Sequence, residues 1–368
     1  MASSTWTGAG ADANWSTKEN WVGNVAPATT GVDIIFDSNS TARLSNTNDR
    51  CTNVNSITQS VTNAVTVSIS AGIGTMQINA GITQTSNGSS ITVGSTSRVV
   101  QLNGNQTFAS NKSSGSFPVN VNNVDLNGYN LTLSATNNAK AMVSNMSGTG
   151  DVSVGHTGNA STEIKGTITG TGTITYTNGS GNLFGSGTTI NSCTKNIIIN
   201  SGATLTVGRI TTTDTTNTFS GTMTNNGTLS LVSFPTTFSK DSGTVLNSAG
   251  TLNFYFNVEI DGTMTPYLVA LNAGTANLTL SGKVNIVKNI VNTTNLPYYS
   301  KSFLTYTGAL TNNGFLITNA SDGTTITGAT GAETKYSYSV DTSTAGVIKG
   351  NFLRRNECQP VISPGCDF

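Results

Sequence analysis

The chain has 368 residues, of which only 9% are charged, against roughly 25% in an average globular protein. Its 17 basic and 17 acidic residues cancel, so no overall field draws it to nucleic acid or to an anionic membrane surface. No window approaches 18 consecutive apolar residues, which excludes a helical membrane span and leaves a β-rich, turn-rich protein.

All three tryptophans, Trp6, Trp15 and Trp21, fall in TWTGAGADANWSTKENWVGNVAP, residues 5 to 27. They precede the apolar run VDIIF at 32 to 36, where a repetitive core begins and most needs its open end covered. Large aromatics bury roughly 150–250 Å² each, so a structural cap is expected; two coplanar exposed indoles would instead make a platform for a sugar. The opening MASSTWTG has neither the basic nor the apolar region of a secretory signal, which leaves a removed signal or another export route.

From about residue 30, apolar and small polar residues alternate: VTVSISA at 65 to 71, LTLSA at 131 to 135, GTITGTGTITYT at 166 to 177. Period two places every second side chain on one face, the signature of a strand. Asn-Gly, Ser-Gly and Thr-Gly pairs between the runs suit tight turns. His156, the single histidine, stands in SVGHTGN and is expected as a solvated turn residue.

Further along, a unit of two apolar residues around a small polar one recurs at Leu205, Leu229, Leu252 and Leu278, in steps of 24, 23 and 26. Such a period fits one coil of a β-solenoid, three short strands with their turns. Earlier units at Ile91, Leu131 and Ile174 follow steps of 40, 43 and 31, which predicts irregular coils there. The expected organisation is an N-terminal cap over 1–30, a solenoid over 31–298, a strand-rich C-terminal cap over 299–350 and a tail over 351–368. Outward Thr, Ser and Asn are expected either to bond one another in ladders or to remain in water.

Four cysteines show no zinc-type clustering. Cys51 and Cys193 lie 142 residues apart, nearly six coils, far beyond the reach of about 7 Å between disulfide-bonded Cα atoms. Cys358 and Cys366, in CQPVISPGC, are near enough for a local disulfide, with two free thiols as the alternative. Catalysis on a solenoid needs clustered carboxylates, often with Lys or Arg. Only Glu259 and Asp261, in FNVEIDGTM, share a strand face, and the following Asp-Gly step reads better as a turn. No catalytic residue, metal or cofactor is assigned. Sequons at Asn87, Asn130, Asn226 and Asn277 match the abundance of Asn, Ser and Thr. Thr-x-Thr runs at 167 to 177 and 211 to 218 vary too much for an ice-binding array.

Trp6-Thr-Gly, Asn14-Trp15-Ser16, Asn20-Trp21, Pro27 and VDIIF resemble the N-terminal signature of secreted bacterial proteins with autotransporter-associated β-strand repeats. Phe303-Leu-Thr-Tyr-Thr-Gly, Gly314-Phe and YSYSVDTSTAGV at 336 to 347 resemble the segment that closes such passengers. The resemblance, over about residues 5 to 350, implies a right-handed parallel β-helix of extracellular or cell-surface location. It is similar in function to a non-enzymatic structural or adhesive element that self-associates or meets surface glycans. A virion appendage and a carbohydrate-active β-helix are the alternatives.

Overall fold

The computed structural model describes residues 2–62, 66–85, 90–95, 97–111, 119–183, 191–208, 217–232, 236–240, 242–258, 267–268, 271–282, 284–290, 298–312, 324–327, 333–341 and 343–355. Within them the chain winds as a parallel β-solenoid. A typical coil lays down three short strands, one in each of three walls, and these pair in parallel with their counterparts in the coils before and after; in places one longer strand serves two walls. One coil contains Val119–Val121, Val124–Asp125 and Leu131–Ala135. The stacks to which these belong are the second, third and first walls, respectively.

Side chains alternate along a strand, so every coil turns one set inward and stacking converts that set into columns. In the first wall Ile34, Ile57, Ile82, Phe108, Leu133, Val154, Tyr176 and Ile199 are successive partners, at steps of 23, 25, 26, 25, 21, 22 and 23. The second wall stacks Ile69, Val93, Val121, Val143, Ile164, Leu183, Val207, Leu231 and Phe254. The third stacks Met76, Val100, Val124, Met146, Ile168, Cys193, Phe219 and Phe238. All of these are buried. Burying one such apolar side chain contributes about 1.5–3 kcal/mol, and the three columns merge into a continuous core.

Over residues 91–205 the described coils stay stacked one on the next, with a register slip between Val154 and Gly155, and much of the expected unevenness comes from comparing strands of different walls. Ile91 and Leu205 belong to the second wall, while Leu131 and Ile174 belong to the first, so the steps of 40 and 31 cross between walls, and the step of 43 spans two coils of one wall, 21 and 22 residues long. Leu205, Leu229 and Leu252 do share one ladder. Leu278 does not: it stacks between Leu246 and Leu310 in the first wall, and Leu252 meets Val284 instead. Strands of both walls carry the same alternation, which hides the difference in the sequence.

Parallel stacking also overruns its expected limits of 31 and 298. Ser3–Thr5 pairs with Asp33 to Ile35, and Leu310–Asn312 pairs with Leu278 to Leu280. Beyond the coils the pairing turns antiparallel, with Tyr298–Thr305 beside Val347–Arg355, which in turn pairs with Glu333–Asp341.

Outward amides form the expected ladders. Asn79 exchanges hydrogen bonds with Asn53, at 3.0 and 2.7 Å, and accepts one from Asn103 at 2.9 Å. Gln77 donates to Gln101, which donates to Asp125, each at 2.9 Å. Coil spacing of about 4.8 Å brings identical amides within reach of one another.

Candidate functional site

Two constellations stand out from the uniform coils, one at the N-terminal end and one midway. At the end, Trp6, Trp15 and Trp21 are buried as a single cluster. Trp21 meets Trp6 and Trp15 edge to face, with ring centroids 5.0 and 5.6 Å apart. Trp6 packs on Phe36, an inward residue of the first long strand, at 6.3 Å. Each indole N–H has an acceptor: Ala42 O for Trp6 at 3.1 Å, Asn46 Oδ1 for Trp15 at 2.8 Å and Trp15 O for Trp21 at 2.9 Å.

The same segment pairs with a strand edge. Thr47 N–H donates to Ala13 O and Trp15 N–H donates to Thr47 O, covering the outer side of Ser45–Asn48. Buried rings present no stacking face, so these tryptophans are not a sugar platform.

The midway constellation begins at His156. The strand Val152–His156 turns Val152, Val154 and His156 inward, and His156 is only 7% exposed. The expectation of a solvated turn histidine is therefore wrong, because the strand alternation carries through Gly155. Nε2 accepts the backbone N–H of Ser180, while Nδ1 is buried without a partner. Burial holds the imidazole below its ordinary pKa.

Above the ring runs Thr173–Leu183, a long strand that passes from the first wall into the second. Its Asn178-Gly179-Ser180-Gly181 stretch makes room for two rings. A Cβ on Gly179 would stand 2.4 Å from an imidazole carbon, and one on Gly181 2.3 Å from a carbon of Tyr176. Tyr176 is buried with its hydroxyl unpartnered, and burial pushes that phenol far up.

One coil on, Cys193, Lys195 and Ile197 point inward in alternation. The Lys195 ammonium donates to Gly148 O at 2.9 Å, Gly150 O at 3.0 Å and Thr171 O. Its three protons thus tie together corners of two earlier coils. Burial lowers its pKa, opposed by the nearby Cys193 and Asp151. The Cys193 thiol is pushed up to about 12 by burial, as is that of Cys51, which donates to Ala28 O at 3.1 Å. Both cysteines are free and buried, in accord with their separation along the rod.

Sequence reasoning missed Tyr176 and Lys195, although alternation with Ile174 and Ile197 placed both on the inward face. These groups are shut away from solvent, and Asp151, near Lys195, is the carboxylate that acts on them. Glu163 is buried beside Lys165 at 3.8 Å. Among the described residues no three His, Cys, Asp or Glu side chains gather to hold a metal. Glu259, Asp261, Cys358 and Cys366 lie outside the described residues. Among the described residues, no helix is long and apolar enough to cross a membrane. Comparison with protein-family models, with curated proteins and with solved structures returns no match.

Proposed function

We propose that the chain is a non-enzymatic structural or adhesive rod of a bacterial surface, sheath or matrix, and that it works by lateral self-association. One observation carries this reading: the outward row of the first wall. Between Asp33, which accepts from Ser56 at 2.6 Å, and Ile198, its successive partners are Ser56, Gly81, Thr107, Thr132, Ser153 and Thr175, none charged and none larger than threonine. A companion row of Thr58, Thr83, Ala109 and Ser134 runs beside it. Small hydroxyl side chains on a straight ladder make a flat wall that another flat polar surface can approach closely.

The family-like ends noted in the sequence support an extracellular setting. The low charge agrees with a wall that makes many weak polar contacts. Surface glycans are a second class of flat, hydroxyl-rich partner for the same wall. Sedimentation across a hundredfold concentration range, paired with electron microscopy, tests the reading. Growing species or bundled rods are expected, and Thr132→Lys with Ser153→Lys should abolish them. A monomer at every concentration that binds neither bacterial cells nor glycans would overturn the proposal.

A further inference from the structure

His156 is the single histidine of the chain, and it sits beside one of the places where the stacking slips in register. Register between Val152–His156 and the following strand slips between Val154 and Gly155, so Gly155 opposes Asn178. At this slip the imidazole replaces a backbone acceptor: Nε2, not a carbonyl oxygen, receives the Ser180 N–H. An Nε2 that accepts must be unprotonated, which places the ring proton on buried Nδ1.

Among the described residues, no strand packed against the ring turns a counter-charge towards it. On the coil before, the register partner is Ala135, part of a small cluster with Ala139, Ala141 and Ala160. The coil after contributes Tyr176, neutral and buried, with Asn178, Gly179 and Ser180. Glu163, on the neighbouring strand Ser161–Ile164, alternates with the core residue Ile164 and so projects from the opposite face, beside Lys165.

We propose that His156 is an acid-sensitive latch in the middle of the rod. A proton taken from solvent onto Nε2 turns the acceptor into a donor facing the Ser180 N–H. That bond breaks, and a cation is left in an apolar corner against Gly179. The corner between first and second walls then opens locally, while coils nearer the tryptophan cluster stay closed. Stack energies are set between neighbouring coils, so one seam can open without melting the rest.

The direction follows from linkage. The folded chain binds this proton more weakly than the unfolded chain, whose imidazole takes it near pH 6.5. Stabilisation from neutral His156 is complete above pH 6.5 and declines as pH falls towards the lower folded value. Across that window the protection of amides at the seam should fall about tenfold per pH unit.

Hydrogen exchange on the full chain between pH 7.5 and 5 tests the latch, together with nitrogen NMR of its one imidazole. The expected result is a neutral ring at pH 6.5, with protection lost at 178–181 and kept at Ile57 and Ile82. His156→Gln, whose amide oxygen can accept the Ser180 N–H without titrating, should hold that protection flat. A charged ring in a fully protected chain at pH 6.5, or equal loss in the Gln variant, would overturn the latch. If the variant fails to fold, the wild-type profile decides alone: loss confined to the seam supports the latch, and uniform loss along all coils refutes it. Neither outcome depends on whether rods associate.

Discussion

The N-terminal end and the middle of the rod bury polar groups on opposite terms. At the end every indole N–H is bonded, and the segment around Trp15 also satisfies a strand edge. In the middle His156 Nδ1 and the Tyr176 hydroxyl are buried without partners, and an ammonium replaces apolar packing at Lys195. An end has neighbours on one side only, so an unpaired group there would admit water to the core. A middle coil is clamped from both sides, and its neighbours carry the deficit.

Substitutions can break that contrast. The largest effect is expected for Trp21→Ala, which removes the ring shared by both edge-to-face pairs and leaves a void over the first coil. About 3–5 kcal/mol should be lost in urea denaturation, with exchange accelerating first at 32–36. Lys195→Met should cost less, about 2–3 kcal/mol, because three carbonyls lose their donor but the new side chain still fills the space. Exchange should then quicken near 148–150 and 171. Smallest is Asn79→Ala, on the outer ladder, where water replaces the lost amide bonds. A shift of about 1 kcal/mol or less in the same denaturation is expected. Were Lys195→Met to match Trp21→Ala, the middle would be no more tolerant than the end.

Much of this architecture could be read from the residues. Alternation in LTLSA and GTITGTGTITYT marks strands, and the step of 24 from Leu205 to Leu229 is a true coil. Wall identity was not legible, since ATLTV at 203–207 and NLTL at 277–280 look alike yet lie in different walls. Only the pairing register separates them. His156 was misread because Gly155 and Gly158 surround it with loop-like residues, although V-S-V-G-H keeps the alternation that buries it. The three carbonyls on Lys195 come from 24 to 47 residues away, a convergence set by coil length and invisible along the chain.

The ladders that stack one coil on the next have a mechanical meaning. Their hydrogen bonds run along the rod, so tension between the chain ends loads them one row at a time rather than all together. The rod yields by unwinding, and a freed coil such as the 23 residues from Ile34 to Ile57 pays out up to about 80 Å of extended chain. The tryptophan cluster ties residues 6 to 21 into the first coil and resists peeling there. Under load the molecule behaves as a spool with one end pinned, lengthening in coil-sized steps while the rest stays wound.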